Sequence, residues 1–336
     1  MSLKTLEWQL LTYYTQQPAT GEQPAIEDLT LLSSGWASDV YRFTLRYQQM
    51  GKMIRQKLVL KLYANTPEGM DRALKERHAL FHLRSEKYPV PGVSEVEIDP
   101  QHLGRPFVIM EYIEGELLWD ALTQAEGEQR DSLIRLFVGL LIDLHQRGLE
   151  ILIPTLKPMS DLALINREIY TLKGMINTYH REEFTPIVDW LREHRDRGAC
   201  DKPTAAHRDY HPWNVMIDGQ GNPFVIDWAW QVADARYDLA WTLTLLERSG
   251  YKGVRDEVLA EYQRVTGSPV SELDYFEVLT HVRWLMDVTH SLKYGENLRE
   301  ETKNEFRAVV SAWVRYAAAD IHSKTGIVLP VEQLLQ

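Results

Sequence analysis

The chain has 336 residues, 44% of them hydrophobic and 25% charged, which is the balance of a folded globular protein and excludes wholesale disorder. At roughly 150 residues per domain it holds about two domains, or two lobes of one unit. A net charge of −11 argues against binding a nucleic-acid polymer, and the single cysteine, Cys200, excludes an intrachain disulfide and a cysteine-based zinc site.

The first third reads as strands with one helix. Short β-rich runs at Leu29–Ser33, Val40–Tyr47 and Lys57–Tyr63 carry a polar turn, Gln48–Lys52, between the second and third, which predicts a hairpin. Pro67–Ser85 reads as a helix with Pro67 at its start and Leu74, Leu80, Phe81 and Leu83 on its apolar side, ended by Pro89 and Pro91. Val93–Ile98 and Phe107–Met110 complete about five strands. Glu111 to Gly115 reads as a connector. Downstream the pattern turns helical: Asp131–Arg147, Asp161–Asn177, Glu182–Arg195, Tyr237–Arg248, Val254–Val265, Ser271–Leu292 and Arg299–Ala319. One island, Thr204 to Asp234, breaks the run with two short strands, Val215–Ile217 and Phe224–Ile226, around a Gly/Asn/Asp turn. The expected class is α+β. A β-rich N-terminal lobe (1–110) is followed by a hinge (111–115) and a larger, mostly helical C-terminal lobe (116–336). The longest apolar runs, such as Leu136–Ile142, fall far short of the ~18 residues of a membrane span. Lys4 is not followed by an apolar core of the signal-peptide kind, so the expected setting is cytoplasmic, without a membrane partner.

The island carries the chemistry. It reads His207-Arg208-Asp209-Tyr210-His211-Pro212-Trp213-Asn214, then a hairpin, then Val225-Ile226-Asp227-Trp228. Asp209 and Asn214 lie on a segment broken by Pro212, hence a loop. Asp227 ends an apolar strand, where a carboxylate has no packing purpose. Phosphoryl transfer uses such a set: one carboxylate orients or accepts the proton of the attacking hydroxyl, while a second carboxylate and a neutral amide hold Mg²⁺ on the phosphates. Upstream, Lys61 lies inside the apolar strand Leu58–Leu62 and must pair or reach solvent. Glu76, on the following helix, is its expected partner, an ion pair that would aim the ammonium at nucleotide phosphates. The turn Ser33-Ser34-Gly35-Trp36-Ala37-Ser38 would cover phosphates, with Gly35 permitting close backbone approach, or would be an ordinary β-turn.

These residues, in this order, resemble the aminoglycoside phosphotransferase and choline kinase family, a branch of the protein-kinase-like fold, over roughly Leu29 to Tyr294. The segment Asp234-Ala235-Arg236-Tyr237-Asp238-Leu239-Ala240 shares the resemblance. It implies a bilobal kinase-like architecture and transfer of the γ-phosphate of ATP to a hydroxyl of a small molecule, with Mg²⁺. It further implies Asp209 as catalytic base, Asn214 and Asp227 as metal ligands, Lys61 with Glu76 on the phosphates beside Ser34 and Gly35, and Met110, Glu111, Tyr112 and Ile113 holding adenine through the backbone. Asp238 would brace the catalytic loop. Choline-like amino alcohols and sugars are alternative acceptors, and a non-catalytic nucleotide-binding module is a further alternative.

Two departures stand out. Arg208 occupies a position where the family usually has glycine, and Trp228-Ala229-Trp230 follows Asp227. Only eleven residues separate Asp227 from Asp238, too few for a phosphorylatable activation loop, which favours a small-molecule kinase over a protein kinase. His207 and His211 have a spacing open to metal ligation, but the loop context favours a bracing hydrogen bond from His207. Trp228, Trp230, Tyr237, Trp241, Trp284 and Tyr294 are either core aromatics or a cage for a quaternary ammonium. The acids between Glu272 and Glu301 are either a solvated face or a polyamine-facing one.

Overall fold

The computed structural model describes every residue except 1, 18–20, 35–37, 150–151, 154–158, 295–302 and 336. The chain divides into two compact units, residues 1–116 with 216–229, and residues 117–215 with 230–336. The hairpin after the His207–Asn214 loop thus clusters with the N-terminal strands.

The first unit begins with helix α1 (Leu3–Gln16), whose N-cap Ser2 accepts from the Thr5 N–H at 3.1 Å. Strands β1 (Glu22–Ser34), β2 (Ser38–Gln49) and β3 (Lys52–Tyr63) follow, then helix α2 (Pro67–Ser85), β4 (Val93–Glu97) and β5 (Phe107–Glu111). The strands form one antiparallel sheet in the order β1-β2-β3-β5-β4. Gln49 pairs with Lys52, so the hairpin closes on Met50 and Gly51, both at positive φ, as the tight turns that suit strand twist require. Leu6, Leu10, Tyr13 and Tyr14 of α1 join Phe43, Leu45, Leu60, Leu62 and Phe107 of the sheet in one core. The sequence reading missed α1, although Leu6, Leu10, Tyr13 and Tyr14 follow the helical period after Ser2; Trp8, which faces solvent, blurs the pattern.

Helix α2 spans the predicted residues. Pro67 occupies the first turn, and Thr66 caps it by accepting from the Gly69 N–H at 3.2 Å. Its buried face differs from the expected one. Gly69, Ala73, Glu76, Ala79, Leu80 and Leu83 point inward, whereas Leu74 and Phe81 are exposed. Small residues line this face together with the buried Glu76. Gly69 answers a local demand, since a Cβ there would stand 2.0 Å from the Ala64 carbonyl oxygen of the preceding connector. A small sheet of β6 (Gly115–Leu117), β8 (Val215–Asp218) and β9 (Pro223–Val225), in the order β6-β8-β9, completes this unit. The Val225 N–H donates to the Pro89 carbonyl at 2.8 Å, tying β9 to the end of α2.

The second unit is helical: α3 (Leu118–Gln124), α4 (Gly127–Gln146), α5 (Ala163–Tyr179), α6 (Thr185–Glu193), α7 (Ala235–Arg248), α8 (Lys252–Thr266), α9 (Leu273–Tyr294), α10 (Lys303–Thr325) and α11 (Val331–Leu334). A two-stranded antiparallel pair, β7 (Thr204–Ala206) with β10 (Gln231–Ala233), frames the chemical island. Helix α7 packs on α8 and α9, and α10 on α9. The predicted Glu182–Arg195 helix is in fact a 3₁₀ turn, the short α6 and a second 3₁₀ turn. Among the described residues no helix is long and apolar enough to cross a membrane.

Leu10, fully buried between α1 and the sheet, tests whether α1 belongs to the core. Leu10→Ala is expected to cost about 2–5 kcal/mol in chemical denaturation; a loss under about 1 kcal/mol would show that the helix contributes no packing.

Candidate active site

In the first unit, three charged side chains meet. Lys61 lies on the inner half of β3, where Leu58, Leu60 and Leu62 are buried, opposite Val40 and Val108. Its ammonium stands 2.7 Å from Glu76 Oε2 and 2.6 Å from Asp227 Oδ1. Glu76 is buried and also accepts from the Tyr63 hydroxyl and, at 3.3 Å, from the Trp228 N–H. Asp227 differs: its side chain is 55% exposed, and its backbone holds φ +63°. A non-glycine residue in that region is uncommon and marks a backbone constrained by its surroundings. Burial alone would depress the Lys61 pKa, but the two carboxylates more than reverse this and hold it above its usual value. Burial pushes the Glu76 pKa up against the pull of Lys61.

The same unit contains a cavity of about 320 Å³ lined by residues 111–114, 218–220 and Phe224. Glu111, Tyr112 and Ile113 therefore border a space, whereas Met110 is buried in β5 and paired with Val59. Gly115 is demanded by proximity, since a Cβ there would stand 1.9 Å from the Ile217 carbonyl oxygen. Ser34 is the last residue of β1, and Gly35 lies outside the described residues.

In the second unit, the loop from His207 to Asn214 hangs on Asp238. That carboxylate is fully buried in the first turn of α7 and accepts the N–H groups of His207 at 2.6 Å and Arg208 at 2.8 Å. His145 Nε2 lies 3.2 Å from the same group. Burial would raise the Asp238 pKa, but His145 and these N–H groups hold it below the usual carboxylate value. Arg208 adopts φ +75°, which accounts for glycine being usual at this point in the family it resembles. Its side chain turns to Glu168 with a two-pronged contact at 3.2 and 3.1 Å, and lies 3.6 Å from the centre of the Tyr237 ring.

Asp209 is held from several sides. Its N–H donates to His207 Nδ1 at 3.2 Å, the bracing role expected of that histidine. Oδ1 accepts from Trp241 Nε1 at 2.8 Å and lies 3.3 Å from His211 Nε2. Asn214 Nδ2 donates to the Asp209 carbonyl at 2.9 Å and reaches Oδ2 at 3.3 Å. Burial would raise the Asp209 pKa, but His211, His207 and the Trp241 N–H together hold it well below the carboxylate range. Asp209 is therefore ionised at neutral pH. Trp213 stacks on Trp119 at 4.2 Å and fixes the far end of the loop.

The aromatic cage is not formed as imagined. Tyr237 carries Arg208, and Trp241 and Trp284 carry Arg248, so the rings already hold cations of the protein. Trp228 packs against Tyr88, and the Tyr294 side chain lies outside the described residues. Sequence reasoning named Trp241 only as a core or cage aromatic and missed Glu168 and Arg248. Trp241 sits three residues beyond Asp238 on the same helix, a spacing that places both toward the loop. Glu168, on α5, had no local signal.

Asp238→Asn tests the loop anchor. An amide can accept from only one of the two N–H groups and turns its own NH2 donor toward the other, so the expected loss is about 2–3 kcal/mol or more. Because the folded Asp238 pKa is depressed below the unfolded value of roughly 3.9, its contribution is present above that value and is lost as pH falls through the folded pKa. The variant should show a shallower loss of stability on acidification. An unchanged acid profile would remove Asp238 from this role.

The model of the "Phosphotransferase enzyme family" matches residues 28–279. Among solved structures, aminoglycoside phosphotransferase APH(4)-Ia matches with a TM-score of 0.64 and 18% identity over 96% of this chain and 99% of its own. The GDP and kanamycin complex of APH(2")-IIia matches at 0.60 and 18%, over 96% and 99%. LicA in complex with AMP matches at 0.55 and 15%, over 93% and 98%. At these identities the structures show a shared fold, the α+β kinase-like one. A β-sheet unit, a helical unit and a family match that spans well over half of the residues together place this chain in the phosphotransferase enzyme family.

Proposed function

We propose that the protein transfers the γ-phosphate of ATP to a hydroxyl of a small molecule. The observation that carries this reading is the Lys61–Glu76–Asp227 cluster: a buried ammonium kept charged between one enclosed carboxylate and one that faces solvent. A solely structural ion pair has no need of the exposed third member in a strained backbone conformation.

In this reading Lys61 Nζ neutralises phosphate charge, and Glu76 fixes its position from α2. Residues 111–113 hold the base through the backbone, at the cavity they line with residues 218–220 and Phe224. Ser34 and Gly35 belong to the turn assigned to the phosphates. Asp209 orients the acceptor hydroxyl and takes its proton. An ionised carboxylate with a low pKa accepts that proton only as the hydroxyl oxygen commits to phosphorus, so Asp209 acts chiefly by orientation. Trp241, His211 and Asn214 restrict it to one rotamer.

Mg²⁺ asks for oxygen ligands and takes only one or two from protein when phosphates and water complete its shell. The exposed Asp227 carboxylate and the Asn214 amide oxygen, whose nitrogen is committed to Asp209, suit that demand. When bound, the ion offsets the negative charge of the phosphates.

Asp209→Asn preserves shape and removes the proton acceptor. Its ADP release with any acceptor the wild type uses should fall by about 10²-fold or more, with nucleotide affinity unchanged. Asp227→Ala should instead weaken the stabilisation given by Mg²⁺-ATP in a thermal-shift titration. Full turnover by the asparagine variant would refute the assignment of Asp209. Failure of Mg²⁺-ATP to stabilise the wild-type protein would favour a non-catalytic module.

A further inference from the structure

Arg248 closes the last turn of α7, about two helix turns beyond Trp241. A cation there suits the helix dipole, but such residues ordinarily keep the charge in water. Arg248 is only 6% exposed. Its Nε and Nη1 are buried with no hydrogen-bond partner, and among the described residues it has no ion pair. A buried charge without a partner is costly, and proteins seldom retain one without a use.

Two tryptophan rings flank the guanidinium. The Trp284 ring centre lies 4.3 Å from it and the Trp241 ring centre 5.3 Å. These contacts leave Nε and Nη1 without a hydrogen-bond acceptor, and guanidinium N–H groups are the ones that grip a planar anion. Burial lowers its pKa to about 9, with the charge of Asp209 opposing that fall, so it remains a cation at neutral pH. The other groups it senses are the Tyr316 hydroxyl and His281, whose own pKa is lowered by burial and whose ring bonds Asp320. None of these supplies a paired anion.

The location gives the vacancy a meaning. Trp241 stacks under Arg248 and donates its N–H to Asp209, so one side chain links the unpaired cation to the carboxylate proposed to handle the acceptor hydroxyl. The acidic face that a polycationic acceptor would need is, by contrast, already engaged. Glu272 and Asp274 pair with Arg197, Glu277 with Arg255 and Lys324, and Asp287 with Arg283; residues 295–301 lie outside the described ones.

Resting on the phosphotransferase reading, we propose that Arg248 binds an anionic group of the acceptor, so that the substrate is a hydroxylated carboxylate or similar anion and not an amino cation. The test is a panel of matched hydroxy compounds: glycerate against glycerol, gluconate against glucose, with choline and kanamycin as cations. Wild type, Arg248→Met and Arg248→Lys are compared by ADP release and by thermal shift, with and without Mg²⁺-ATP. The expected result is that the carboxylates are the better acceptors of wild type. In Arg248→Met their KM should rise about tenfold or more, with nucleotide affinity unchanged, and Arg248→Lys should recover part of the loss.

The proposal is overturned if neutral or cationic members are preferred, or if no carboxylate is turned over or stabilises the protein. It is also overturned if Arg248→Met weakens nucleotide binding, which would assign the cation to phosphate, or slows all acceptors alike, which would make it structural. Turnover of choline or kanamycin alone would leave the kinase reading intact and remove only the anion. Absence of any nucleotide effect on wild type would remove the kinase reading, and carboxylate-induced stabilisation of the nucleotide-free protein, lost in Arg248→Met, would still judge Arg248 by itself. Should Arg248→Met fail to fold, Arg248→Lys keeps the charge and must show a smaller shift in the same direction.

Discussion

A lysine inside an apolar strand is the constraint around which the first unit is arranged. Lys61 cannot be buried as an ammonium without compensation, and the compensation comes from two distant places, Glu76 on α2 and Asp227 beyond β9. To bring Glu76 within reach, α2 presents its small residues, Gly69, Ala73 and Ala79, to the body of the unit and leaves Leu74 and Phe81 outside. To bring Asp227 within reach, the hairpin β8–β9 folds back on the unit that contains Lys61, and the backbone at Asp227 accepts a left-handed conformation. The helix face, the hairpin and the strained residue are consequences of one buried charge.

The second unit shows the same logic with opposite sign. Asp238 is a buried carboxylate, and its partners are the loop's own N–H groups and His145. Satisfying it fixes the backbone of His207 and Arg208, which in turn sets Asp209 among Trp241, His211 and Asn214. Arg208 stands at a left-handed position, and its guanidinium is held by Glu168 and Tyr237. Among the described residues Arg248 departs from this pattern, with two buried guanidinium nitrogens that have no hydrogen-bond partner.

What the sequence disclosed depended on whether a signal was local. Pro67 and the apolar period beyond it marked α2 to the residue, and the alternation of β2 and β3 around a two-residue turn marked the hairpin. The order Lys61, Glu76, Asp209, Asn214, Asp227 pointed to phosphoryl transfer, because a lysine and an aspartate stood in or at the end of apolar strands and the Asp–Asn pair lay on the loop just upstream. Helix α1 was overlooked despite the local period of Leu6, Leu10, Tyr13 and Tyr14; that the helix packs on the sheet is a property of the packed unit. The three-residue strands β7 and β10 carry too few side chains for a period to show. Arg248 read as an ordinary basic residue at a helix end; its burial, and the two tryptophans that receive it, are properties of the packed molecule alone.

The central claim is that Lys61 is held charged in order to meet nucleotide phosphates. The most direct measurement is a calorimetric titration of Mg²⁺-ATP, ADP and adenosine into wild type and Lys61→Met. The account predicts that the substitution weakens ATP by about tenfold or more and leaves adenosine binding unchanged, because only the phosphates engage the ammonium. Equal ATP affinity in the two proteins, or an equal loss for ATP and adenosine, would contradict it.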